Sequence, residues 1–257
     1  LSADEKTDAA DFGGLRATVA QACQILAMEG LIEGTLGHVS VRVGDDRMLI
    51  RCRGANEHGL IFTKDEDVRL SDFSGTLVGT DEGYQVPNEL PIHGELLRAR
   101  PEVNAVVHAH PPAVLVCGVT GLELRPIFGA YNIPAMRMAL DGVPVYSRSV
   151  LIRRPELAHE MIAVMGKRPI CVLKGHGITV TGASVEQAVV RALNLNALAE
   201  VTLAVARAGG RVDAVPAEDV AELPDLGSAF NDLAVWRYHL AKARRQALRG
   251  TAAWTAE

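Results

Sequence analysis

Apolar positions along the chain follow two periods, and the switch between them divides it into elements. Over 15–29 they recur at helical spacing, with Val19, Cys23, Leu26 and Ala27 on one face and Gly30 as the stop. The polar, Asp-rich stretch before it, 1–14, reads as a loose terminal segment. After Thr35-Leu36-Gly37-His38 the period shortens to two: a strand over 39–43, a hairpin through Gly44-Asp45-Asp46, and a strand over 48–53. Short strands over 60–63 and 68–70 complete an antiparallel meander, more hairpin than βαβ. A helix follows over 86–100, set by Pro87 and Asn88, with Leu90, Ile92, Leu96 and Leu97 facing a core. Val103, Ala105, Val106 and Val107 then form a buried strand, which Pro111-Pro112 ends.

Farther on, the pattern predicts a helix over 113–119, an irregular apolar stretch over 122–138, an edge strand over 143–146 and a helix over 154–165. A second buried strand, 168–174, runs into Gly175-His176-Gly177. A long helix over 185–208 opens at Ser184, with Glu186 and Gln187 in its first turn. An acidic, Pro-containing connector over 212–226 leads to a last helix over 230–248. That helix carries Trp236, Tyr238 and His239 ahead of the basic run Lys242-Ala243-Arg244-Arg245.

Composition narrows the class. The 257 residues, 48% hydrophobic and 22% charged, show no second compositional regime and are read as one domain over 1–257. A net charge of −5 argues against a nucleic-acid or membrane-surface partner. Cys23, Cys52, Cys117 and Cys171 lack C-x-x-C spacing and read as reduced core residues of a cytoplasmic protein. No apolar run approaches the ~20 residues of a membrane span, and Leu1 opens no signal-peptide pattern.

The chemistry-bearing residues gather at element ends. On a strand His108 and His110 point the same way, a ready pair of metal ligands; the bland alternative is two half-exposed imidazoles. Glu89 and His93 share one face of a helix start. With His176 at the end of a second strand, Glu89, His108 and His110 complete a three-His, one-carboxylate set suited to a divalent ion. Glu89 is otherwise a carboxylate favoured by the helix dipole, and His93 reads better as a solvated histidine or as support for a ligand than as a ligand. Arg51 and Arg53, two apart on a strand, share a face where guanidinium forks would hold a carboxylate, or they are solvated.

Glu-Gly-Thr-x-Gly-x-Val-Ser at 33–40, Asn-Glu-x-Pro-x-His at 88–93, Arg-Pro-x-x-x-Ala-Val-Val-His-x-His-Pro at 100–111 and Gly-His-Gly at 175–177 resemble the class II aldolase/adducin family. The resemblance implies a three-layer αβα sandwich, an α/β fold with a mixed, largely antiparallel central sheet. It further implies a homotetramer with active sites between subunits. It makes His108, His110 and His176 metal ligands, Glu89 a ligand or proton shuttle, and Tyr131 an acid or pocket residue. A core or subunit-contact role is the alternative for Tyr131, and the C-terminal segment is expected to reach a neighbour's site. Zinc leads among the metals, with manganese, cobalt and iron(II) also suited to such ligands.

Sugar-phosphate members carry a phosphate cradle where this chain has His38, Arg51-Cys52-Arg53-Gly54 and Pro87-Asn88. The combination is most similar to the branch that decarboxylates dihydroxyphthalate-type aromatic acids. That implies a metal-stabilised enolate, a catechol pair on the metal, a carboxylate held by Arg51, Arg53 or both, Asn88 beside the substrate, and Glu89 or His38 as the acid. An aldolase or epimerase acting on a sugar phosphate and an adducin-like structural protein are the rivals; the complete ligand set favours an enzyme.

Overall fold

A computed structural model describes residues 12–79, 82–211, 213–226 and 229–254. Seven strands form one sheet in the order β3-β2-β1-β4-β7-β6-β5. They are β1 (His38–Arg42), β2 (Arg47–Arg51), β3 (Val68–Asp72), β4 (Ala105–Ala109), β5 (Val145–Tyr146), β6 (Ile170–Leu173) and β7 (Gly177–Gly182). Only β5 and β6 pair in parallel; the other neighbours are antiparallel. The sheet is therefore mixed and largely antiparallel, as the resemblance implied.

Strand alternation sorts side chains into two layers. Val39, Leu49, Val107 and Val180 pack with α1 (Gly13–Met28) and α6 (Val185–Arg207) on one face. Ile50, Val106, Cys171 and Leu173 pack with α2 (Leu90–Ala99) and, after α3 (Pro112–Thr120) and α4 (Ile133–Ala139), with α5 (Pro155–Met165) on the other. Helices on both faces make the three-layer sandwich. At the start of α6 the Ser184 hydroxyl accepts the Gln187 N–H at 3.2 Å, and the Gln187 side chain accepts the Ala183 N–H at 2.9 Å. This reciprocal cap fixes the helix start. Among the described residues α6 alone is long and apolar enough to cross a membrane, and half of its apolar window is buried in the fold. All four cysteines are free and buried.

Several expectations change. Residues 60–63 form no strand: Leu60–Phe62 is a 3₁₀ turn. Gly59 (φ +97°) swings the chain so that Leu60 N–H donates to Gly34 O, and a Cβ at Gly59 would lie 2.7 Å from that oxygen. Ile178-Thr179-Val180-Thr181, unassigned by the pattern, lies in β7, a central strand. The irregular stretch 122–138 contains the start of α4, capped by the Asn132 side chain accepting the Ala135 N–H at 3.1 Å. The acidic connector holds a short α7 (Ala217–Glu222), with residue 212 outside the described residues. Of the segment read as loose, 1–11 lie outside the described residues and Gly13 already begins α1. The last helix, α8 (Ala229–Trp254), is tied to the end of α1 by Glu29, which pairs with His239 at 2.9 Å and Lys242 at 2.8 Å.

Candidate metal centre

Three adjacent strands and one helix start bring the chemistry together. His38 of β1 stands opposite His108 of β4, and His108 opposite Thr179 of β7. His110 follows β4 directly, and His176 sits in the turn between β6 and β7. Glycine makes the close approach possible: a Cβ at Gly177 would lie 2.2 Å from Ala109 O, and one at Gly37 (φ +79°) 2.9 Å from His108 O. Across the face runs α2, whose N-cap position is Glu89. Its approach depends on Gly94, where a Cβ would lie 1.9 Å from Phe73 O.

Glu89, His108, His110 and His176 offer ligand atoms that all lie within 4.8 Å of one another. Glu89 Oε2 is 3.3 Å from Nε2 of both His108 and His176, and the Nε2 atoms of His108 and His110 are 2.8 Å apart. Two ligands held at ~2.1 Å by one tetrahedral ion lie about 3.4 Å apart, close to the two carboxylate spacings. His108 Nδ1–H donates to Ile178 O at 3.0 Å, which leaves the Nε2 lone pair turned to the carboxylate. His176 Nδ1 is buried without a hydrogen-bond partner, while its Nε2 faces the Glu89 carboxylate. Lone pairs and a carboxylate converging on one point, with an orphaned imidazole nitrogen beside them, fit a divalent cation.

The electrostatics agree. Burial, with His108 and His176 next, pushes the His110 imidazole down to about 3, so it is neutral at pH 7 and free to ligate. Burial alone would raise the Glu89 carboxyl, but the His108 and His176 imidazoles that face it outweigh that and hold it far below the usual carboxylate range. Its other oxygen, Oε1, accepts the backbone N–H of Ile152 at 2.8 Å. Glu89 is thus a fixed anion. The Ile152 contact left no trace in the sequence pattern, because it comes from a loop backbone 63 positions away.

Beside this set, His38 stacks on His108 with ring centroids 4.9 Å apart. His38 Nδ1 lies 2.6 Å from His93 Nε2, and His93 Nδ1 lies 2.6 Å from Ser40 Oγ. His93 is fully buried, which removes the solvated alternative. Burial, then the nearby His108, pushes it down to about 3. Sequence reasoning missed Ser40, although its place two residues after His38 on one strand put both on the same face.

The other expected residues are placed apart. Arg51 lies on the face of Leu49 and Val68, opposite that of Ile50 and His38, and its guanidinium pairs with Glu57. Period-two alternation is the reason: the shared face of Arg51 and Arg53 is the one turned from the imidazoles while the strand lasts. Arg53 lies past the end of β2, where its backbone bridges Gln85 and its guanidinium donates to Thr35 O at 3.3 Å. It therefore joins the turn before His38 to the segment before Glu89. Asn88 is exposed. Tyr131 is 81% exposed, which excludes a core role, and its ring meets Phe128.

A three-layer sandwich with a three-His, one-Glu centre at the ends of its central strands defines the class. Residues 17–203 match the family described as Class II Aldolase and Adducin N-terminal domain. A 3,4-dihydroxyphthalate decarboxylase from Arthrobacter keyseri is 51% identical over 232 residues, covering 89% of this chain and 94% of the relative. A second 3,4-dihydroxyphthalate decarboxylase, from Terrabacter sp., is 51% identical over 233 residues, covering 90% and 98%. Among solved structures, an aldolase II superfamily protein from Pseudomonas syringae superimposes with a TM-score of 0.79 at 20% identity, covering 95% of this chain and 98% of that one, a likeness of fold. The chain belongs to the class II aldolase/adducin family.

Proposed function

We propose that this chain is a divalent-metal-dependent lyase that decarboxylates a hydroxylated aromatic acid of the 3,4-dihydroxyphthalate type. The observation that carries the reading is the likeness to 3,4-dihydroxyphthalate decarboxylases over nine-tenths of the chain. The reaction replaces a ring carboxylate by hydrogen: the carbon–carbon bond breaks, carbon dioxide departs, and the electron pair left on the ring carbon takes a proton. Glu89, His108, His110 and His176 would hold the metal. Bound there, a divalent ion supplies Lewis-acid charge beside the phenolic oxygens, a contribution of several kcal/mol. Zinc suits the nitrogen and oxygen donors, with manganese, cobalt or iron(II) as alternatives.

The protein's own groups divide the remaining work. Glu89, held as a carboxylate, is a ligand and a poor acid. The hydrogen-bond donor to the substrate is His38, whose Nδ1 is engaged by His93 and whose Nε2 is left for the substrate, while the proton that the ring carbon takes is drawn from solvent. Arg53, tied to the turns on both sides of the centre, is the guanidinium assigned to the substrate carboxylate, and Asn88 flanks it. The reading includes a homotetramer with sites between subunits, in which the exposed Tyr131 and Phe230 would be covered. It also includes a cytoplasmic location, which suits four free cysteines.

The test is carbon dioxide release from 3,4-dihydroxyphthalate by the metal-loaded protein beside His108→Ala. Release that needs metal and falls at least ~10³-fold in the variant is expected, the several kcal/mol of metal charge read as rate. Aldehyde formed from a hydroxy-sugar phosphate, with no carbon dioxide from the aromatic acid, overturns the reading.

A further inference from the structure

Two stacked imidazoles, His38 and His108, stand side by side in register on β1 and β4. Their surroundings differ in one respect: what holds Nδ1. For His108 it is a backbone carbonyl, Ile178 O, which only accepts, so the His108 proton is on Nδ1 and the lone pair on Nε2. For His38 it is His93, itself held by Ser40.

The direction of this second file follows from its far end. Ser40 is fully buried, and among the described residues His93 Nδ1 is the hydrogen-bond partner of its hydroxyl. If His93 donated to Ser40, the hydroxyl hydrogen would be buried without an acceptor, which costs more than an ordinary hydrogen bond gains. Ser40 O–H must therefore donate to His93 Nδ1. A neutral His93 then carries its proton on Nε2 and donates to His38 Nδ1, and a neutral His38 carries its own proton on Nε2. The complete burial of His93 favours its neutral form.

We propose that Ser40 and His93 are positioning residues that lock His38 in the tautomer opposite to that of its neighbour His108, so that one imidazole presents a lone pair to the metal and the other an N–H to the substrate. This deepens the decarboxylase reading and names what the substrate must bring: an oxygen acceptor beside the metal-bound group, as a ring carboxylate or phenolate does.

The test uses the full zinc-loaded chain labelled with ¹⁵N-histidine, in which long-range proton–nitrogen correlations report the protonated nitrogen of each ring. Signals are assigned with His38→Asn and His93→Asn. Expected are Nδ1–H for His108 and Nε2–H for both His93 and His38. In Ser40→Ala the rings of His93 and His38 should show mixed tautomers, and kcat should fall about tenfold while zinc content and KM stay near wild type. A His38 protonated on Nδ1 in the parent protein overturns the proposal. So does a Ser40→Ala variant that keeps both tautomers and full kcat. Tautomers as expected in a protein that releases no carbon dioxide would leave the lock in place and sink the decarboxylase reading alone.

Discussion

The two faces of one sheet use the same strands for different ends. Toward α1 and α6, the strands present Val39 and Val41, Val107 and Ala109, Ile178 and Val180, all apolar and buried. Toward α2 and α5, the same three strands present His38 and Ser40, His108, and Thr179 and Thr181, equally buried but polar. The first face is held by area removed from water alone, and the second by the burial of Ile50, Val106 and Leu173 together with hydrogen bonds that its polar groups must make. One-residue alternation thus confines the candidate chemistry to one face and leaves the other wholly apolar in these strands. Substitutions on the two faces should read out differently.

The contrast should be sharpest in acid. In the metal-free protein His93 and His110 titrate near 3, whereas in the unfolded chain each takes up a proton near 6.5. Between those values the unfolded state binds more protons, so stability falls as pH drops from about 6.5 to about 3, by several kcal/mol in all. Thermal midpoints taken across this range should fall, and saturating metal should delay the fall; a flat profile would contradict the burial of these rings. Next in size is Gly94→Ala. A Cβ driven toward Phe73 O forces α2 off the sheet, costing about 1–3 kcal/mol. It also displaces Glu89 and His93 together, for about a 10²-fold loss of kcat. Full activity in a folded Gly94→Ala protein would mean that the polar face does not depend on the distance of α2.

Smaller effects divide the arginines. Arg53→Ala should raise KM for the aromatic acid about tenfold, the worth of one charge-assisted carboxylate contact. Arg51→Ala, on the other face, should lower the unfolding free energy by leaving Glu57 uncompensated while KM holds. The reverse pattern would move the substrate carboxylate to Arg51. Least visible to an activity assay is Val107→Ala, which should cost about 1–3 kcal/mol in denaturant unfolding with no change in kcat per folded molecule.

Much of this was legible from residues alone wherever the signal was local. The β-branched run into His108-x-His110 and the Pro pair marked β4, and Ser184 with Gln187 marked the start of α6. The four candidate ligand residues are legible because each sits beside the start or the end of an element. What escaped was non-local. Ile178 to Thr181 alternates as a strand should, but its glycine flanks drew attention to the turn before it. Leu60 to Phe62 is apolar like a strand, yet Gly59 and the Gly34 carbonyl bend it into a turn. Arg51 and Arg53 read as neighbours on one strand, but β2 ends at Arg51, and which of its faces looks toward the imidazoles depends on pairing with β1 and β3. The Ser40–His93 contact joins residues 53 positions apart and required the crossing of α2 over β1.

The strand order also bears on how a ribosome delivers this protein. β1 waits for β4, 70 positions later, and β4 waits in turn for β7, which ends at Gly182. At the ~5–20 residues per second of synthesis, the nascent chain carries His108 and His110 for several seconds before His176 arrives. Over that interval β4 has an unpaired edge of buried-type residues, the kind of edge that pairs with another chain. The last central strand and the turn that leads into it therefore close the sheet and bring in the third imidazole in one event, so that the candidate metal set and protection from aggregation are completed together.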